Sequence, residues 1–252
     1  MRRLLFWLLL FALPSTQAAE ELRLTNGEWA PYLGAQLPHH GIASRIVAEA
    51  FALEGIEVRW EFHPWARSLL LAERGDRHGS AVWLSSPHRK ETFFVSDPIL
   101  DSTYYLFHRK DRPLHWESIE DLAGLRLGAT TGYDYGEPFQ RAEAQQSLQI
   151  RRLGSDLLGF RQLLAGRLDA FPMDKVVGFD LLHEQFSSAE RARLSFHPRP
   201  LRSDSLHLLL SRRIPQNADY MLRFNAGLAR LRESGKVSQY LLEAQRPLSL
   251  GR

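Results

Sequence analysis

The residues best able to do chemistry are aromatic and charged side chains gathered in a few loops. Trp29 sits in Asn26-Gly27-Glu28-Trp29-Ala30-Pro31-Tyr32, Trp65 follows Pro64, and Trp83-Leu84 closes an apolar run. Thr131-Gly132-Tyr133-Asp134 and Asp174 stand at comparable points further on. If these loops share one cleft, they offer aromatic faces with a few charged groups, the make-up of a small-molecule pocket. A metal centre is not expected. His39-His40 are adjacent, and His63, His78 and His88 form no H-x-x-x-H pair on one helix face. The chain has no Cys, which excludes disulfides, thiol catalysis, Cys-based zinc sites and a lipid anchor on Cys. No G-x-S-x-G, P-loop or G-x-G-x-x-G occurs, and Gly128 to Gly132 lacks the Lys of a phosphate cradle. Glu28 and Asp134 are the acids placed for proton transfer in such a cleft. Glu61 and Glu137 carry no motif.

The elements that must position these residues form two similar series. Leu22 to Thr25 reads as a strand. Gly41 to Glu54 has helical spacing, with Ile42, Ile46, Val47, Ala50 and Phe51 apolar. Ile56 to Trp60 alternates as a strand does, Pro64 to Glu73 is a second helix, and Ser80 to Leu84 a third strand. The second series runs Leu125 to Leu127, a helix near Gly136 to Gln146, Gln149 to Leu153, a helix opened by Asp156 and closed by Gly166, then Asp169 to Met173. This order predicts two lobes, each a mostly parallel sheet flanked by helices. Ligands then bind beyond the carboxyl ends of the strands, where the loops above lie. Polar, hinge-like connections are expected near Phe107 to His115 and Phe196 to Ser205. The tail, Leu206 to Leu210 and helices from Ala218 and Val237, should return to the first lobe. The division is 20–108 plus 205–252 for lobe one and 109–204 for lobe two. No oligomer signal is visible.

The first nineteen residues stand apart from this fold. Arg2-Arg3 precede an apolar run from Leu4 to Leu13, and Pro14 to Ala19 supplies a breaker and small residues. This predicts a secretory signal cleaved after Ala18 or Ala19, and a periplasmic mature protein. Over the 252 residues, 32 Lys and Arg stand against 29 Asp and Glu, a net charge of +3 that leaves no nucleic-acid footprint.

Ser86-Pro87-His88-Arg89 followed by Phe94-Val95-Ser96-Asp97-Pro98 resembles the T-P-E-R…F-S-x-P-Y signature of family 3 extracellular solute-binding proteins. Asp121 to Gly128 is similar to the family's D-L-x-G-K-x-V-G stretch, and Gly166-Arg167-Leu168-Asp169-Ala170 with Asp174 to its G-x-x-D-A-x-x-x-D segment. The resemblance runs through the whole mature chain in order. It implies the two-lobed type II periplasmic-binding-protein fold, in receptors of polar amino-acid ABC importers. It also implies that Arg89 grips an α-carboxylate, Asp174 receives an α-ammonium, and Trp29 and Trp65 flank the ligand's side chain. Gly132 and Tyr133 lie where a Gly-Thr-Thr turn offers donors, though Tyr133-Asp134 replaces the two threonines. Trp83-Leu84 stands where Ser or Thr is usual, giving a more aromatic pocket. Two bland readings stand beside these: Arg89 paired with Glu91 on the surface, and Asp174 paired with Lys175.

The reading that follows is a periplasmic solute-binding protein, not an enzyme. It traps a small amino acid or related zwitterion between closing lobes and docks on an ABC permease or a sensor ectodomain, with no cofactor. The alternatives on the same fold are a cyclohexadienyl dehydratase-like enzyme and a ligand-sensing receptor for a signalling partner.

Overall fold

The computed structural model describes residues 20–249, so the expected signal segment lies outside the described residues. The first series is β1 (Glu20–Asn26), α1 (Ile42–Ala52), β2 (Ile56–Phe62), α2 (Trp65–Glu73) and β3 (Gly79–Leu84). Then come α3 (Pro87–Thr92), β4 (Phe93–Val95) and the long β5 (Leu100–Arg109). The second series is β6 (Arg126–Thr130), α4 (Glu137–Ala144), β7 (Gln149–Leu153), α5 (Asp156–Leu164) and β8 (Phe171–Asp174). The chain ends with α6 (Lys175–Gln185), α7 (Ser188–Ala192), β9 (Leu194–Ser211), α8 (Asn217–Glu233) and α9 (Lys236–Ser249).

Both series keep their parallel pairs: β1 with β2 and β3, β6 with β7, and β6 with the segment entering β8 through Leu127 and Ala170. The sheets are mixed, however, and not mostly parallel. Strand β9 runs antiparallel to β3 at one end (Gly79 opposite Leu210) and to β5 along its length, from Leu100–Leu206 to Arg109–Leu194. Strand β5 in turn pairs antiparallel with β8. The connections read from the sequence as polar hinges are therefore largely ladder strands. Phe196 to Ser205 lies wholly within β9, while Phe107 to Arg109 ends β5 and the chain continues beyond it to His115. The ladder is irregular between Tyr104 and Phe107, where Pro200, with no N–H to donate, faces Tyr105.

Helical spacing explains the first core. Ala43, Ile46, Val47, Ala50 and Phe51 put one apolar stripe of α1 onto β1, whose Leu22 and Leu24 are fully buried. Helix α8 packs against α1 in the same core, where Phe51 and Phe224 meet at 5.0 Å between ring centroids. A Cβ at Gly227 would sit 2.1 Å from the carbonyl oxygen of Ala50, so this crossing tolerates only glycine. In the second series Asp169, the acid of the G-x-x-D-A stretch, locks the start of β6. Its carboxylate accepts from Arg126 N (2.9 Å), Nε (2.9 Å) and Nη2 (2.7 Å), and this pairing holds its pKa down at about 2. Among the described residues no helix is long and apolar enough to cross a membrane.

Two outcomes follow. Gly227→Ala gains up to about 1 kcal/mol of helix propensity but overpacks the α1–α8 crossing, at about 1–3 kcal/mol. Net destabilisation, read as a lower urea midpoint, is expected, and a higher midpoint would contradict the crossing. A carboxyl depressed in the folded state stabilises above its unfolded pKa, and that contribution disappears as pH falls through the folded value. The stability gap between the native chain and Asp169→Asn should thus be full near neutrality and close as pH falls from about 4 to about 2. A gap that does not change with pH would count against the lock.

Candidate functional site

The loops singled out by the sequence converge on a cavity of about 380 Å³ between the two series. One wall comes from the loop after β1 and from α2, β3 and α3. Strand β3 carries a bulge: Ser80 faces Leu209, but Trp83 already faces His207, one residue too many on β3. The extra residue sits at Val82, whose φ of 67° is strained for a β-branched side chain. A regular strand alternates its faces. The bulge lets Val82, Trp83 and Leu84 all line the cavity. Trp83 is fixed by donating its indole N–H to Ser80 Oγ (2.7 Å), and Trp65 meets it edge-on at 5.1 Å. Gly27 makes room for Trp65, since a Cβ there would lie 2.2 Å from the indole. Trp29 completes this aromatic wall, tilted against Tyr32 at 5.1 Å.

Arg89 projects from the first turn of α3, which Ser86 caps by accepting from Arg89 N (3.2 Å). Its guanidinium donates to the carbonyl of Leu84 (2.7 Å) and lies 4.9 Å from the centre of the Trp83 ring. Among the described residues no carboxylate pairs with it, Glu91 included. Burial pushes its pKa down, with Asp134 opposing, but a guanidinium keeps its charge.

The opposite wall is Thr131 to Asp134, after β6. Gly132 has φ +83° and takes the turn. The Tyr133 ring lines the cavity, but its hydroxyl donates to Asp156 Oδ2 (3.2 Å), so it is not offered to a ligand. Asp156 does not cap α5, as its sequence position suggested. Ser155 does, and Asp156 accepts instead from Thr130 Oγ1 and Tyr133. Arg152 clamps the same loop through the carbonyls of Thr130 (2.9 Å) and Tyr133 (3.0 Å).

The floor comes from residues that the sequence reading missed. Ser102 and Tyr104 of β5 and Arg202, Asp204 and Leu206 of β9 line the cavity at alternate positions. Arg202 is 12% exposed in its side chain and is held by Asp134 (3.0 Å) and by Asp204. The period of two in Arg202-Ser203-Asp204-Ser205-Leu206 was the available signal.

The structure does not bring Asp174 into the cavity. It is 1% exposed and caps α6, accepting from Val176 N (2.9 Å), Val177 N (3.0 Å) and Ser102 Oγ (2.7 Å). Burial raises its pKa and these bonds lower it. The role of ammonium partner expected for Asp174 is thus corrected to that of a buried helix cap, and Lys175 makes no ion pair with it. Glu28 is exposed outside the cavity and accepts from Ala35 N. Glu61 pairs with Arg77 and Glu137 with Arg141.

No family model matches the chain, and no curated protein matches it. Solved structures do, and they define the fold as that of the type II periplasmic binding proteins, the one the motif resemblance implied. A histidine kinase sensor domain with similarity to periplasmic binding proteins superposes with a TM-score of 0.73 at 17% identity, over 89% of this chain and 96% of that one. A mutant of ArgBP from T. maritima gives 0.68 at 17%, over 91% and 95%. The amino acid ABC transporter substrate-binding protein AbpA from Streptococcus pneumoniae, bound to L-arginine, gives 0.66 at 16%, over 90% and 95%.

Asp156→Ala would leave the hydroxyls of Thr130 and Tyr133 without their acceptor, a loss of about 1–3 kcal/mol. Asp156→Asn keeps an oxygen and should lose less. Thermal unfolding checks both, and an Asp156→Ala protein as stable as the native chain would contradict the clamp.

Proposed function

We propose that the chain is a family 3 solute-binding protein that captures a small amino acid or related zwitterion between its lobes, in the periplasm. The observation that carries this reading is the charge imbalance of the cavity. Arg89 is a half-buried cation with no carboxylate partner. Across from it a single Arg202 is shared by two carboxylates, Asp134 and Asp204, which leaves one negative charge in excess. A ligand with a carboxylate at one end and an ammonium nearby complements both. Trp29, Trp65 and Trp83 would cover its apolar part, and their faces also suit a cation. Gly132 would bring backbone close to the ligand, with Tyr133 as a wall.

The lobes are 20–108 with 205–252, and 109–204, joined by β5 and β9. Arg89 belongs to the first lobe and Asp134 to the second, so one ligand touching both binds the closed state better and shifts the population towards it. The closed form would then deliver the ligand to an ABC permease. The two acids that a dehydratase-like reading relied on give it little support. Glu28 lies outside the cavity, and Asp134 is engaged by Arg202 and by Gly136 N (2.7 Å).

A ligand carboxylate on Arg89 is removed from water, so its partner must be charged and two-pronged. In a calorimetric screen of amino acids, Arg89→Ala should lose about 3–5 kcal/mol of binding, about a hundredfold or more in affinity. Arg89→Lys should recover part of this. Undiminished affinity in a folded Arg89→Ala protein would overturn the carboxylate anchor and the proposed ligand class.

A further inference from the structure

The cleft has a second chamber of about 400 Å³, and it shares Arg89, Leu84, Asp134, Arg202 and Asp204 with the first. Its remaining wall differs in character. Helix α2 presents Trp65, Leu69 and Glu73 at intervals of four, which puts them on one face along the cleft. Trp65 lines the aromatic chamber, while Leu69 and Glu73 line the second. At 1.5 Å per residue the stripe is about 12 Å long. Leu69, Leu84 and the buried Phe93 give the chamber an apolar portion beside Ser85 and Ser86, and Glu73, a partly buried residue, adds an acidic side chain. Among the described residues no Lys, Arg or His pairs with that carboxylate, and no donor bonds to it. Arg213 reaches only its backbone carbonyl (3.0 Å). His88, also on the wall, is exposed at the chamber's edge.

Two unpaired opposite charges, Arg89 and Glu73, thus line one chamber together with Leu69, Leu84 and Phe93. We infer that the second chamber receives the side chain of a basic amino acid, with its methylenes along Leu69, Leu84 and Phe93 and its terminal cation at Glu73. This rests on the proposed role of Arg89 as carboxylate anchor and adds a specificity-determining residue to it. The physical reason is desolvation. When the lobes close, Glu73 loses water whatever the ligand, and only a ligand with a distal positive charge replaces what is lost. A neutral side chain of equal length packs on the same apolar residues but leaves the carboxylate unpaired, so discrimination comes from the penalty on the wrong ligand.

The test is calorimetric titration of the full chain with L-lysine and with L-norleucine, which lacks the distal amine. The native protein should bind lysine at least tenfold more tightly. Glu73→Gln should bring the two affinities together, by weakening lysine and tightening norleucine, with the melting temperature unchanged. Equal affinities in the native protein, or a lysine preference that survives in Glu73→Gln, would overturn the inference. If norleucine or another neutral amino acid binds in an Arg89-dependent way while lysine does not, Glu73 alone loses its role. If no amino acid binds the native protein, the reading of Arg89 falls with it.

Discussion

The antiparallel pairing of β5 with β9 is the constraint on which the rest of the molecule depends. These two strands carry the chain out of the first series and back, and together they ladder onto both series: β9 onto β3, β5 onto β8. Because strand residues alternate, one face of the pair packs into the cores while the other presents Ser102, Tyr104, Arg202, Asp204 and Leu206 to the cavity. The same ladder therefore joins the lobes and floors the site. Its irregular stretch between Tyr104 and Phe107 breaks the register of the ladder beside the cavity.

Local devices then convert a generic α/β frame into a particular cavity. The bulge at Val82 turns three successive residues of β3 onto one surface, and Gly27 clears the space that Trp65 fills. Asp156 and Arg152 hold the 130–134 loop from behind, so Tyr133 offers its ring and keeps its hydroxyl. The charges are sorted in the same way. Arg202 is satisfied by protein carboxylates and Arg89 is not, and only an unsatisfied buried charge has a reason to bind something else.

Much of the frame was legible in the sequence, because helix α1 and strand β2 carry clean periods of 3.6 and 2, with Gly41 before the helix and Gly55 between helix and strand. The loops with Trp29, Trp65, Trp83 and Gly132–Tyr133 were legible as site candidates because they follow strands in an α/β order. Arg202 and Asp204 were missed because alternation of charged and small polar residues in β9 looks like a solvated linker until its partner strand is known. Asp174 was misread for a related reason: the same acid in the same motif can face a ligand or cap a helix, and only the position of Ser102, 72 residues away, decides it. Asp169 likewise keeps its motif but serves Arg126.

The proposed function rests on a molecule held in the cleft by its carboxylate at Arg89. The most direct measurement is mass spectrometry of the small molecule retained by the protein purified from its own cells, compared with that retained by Arg89→Ala. A zwitterion bearing a free carboxylate is expected in the first sample and its loss from the second. A retained molecule without a carboxylate, or one held equally by both proteins, would contradict the proposed function.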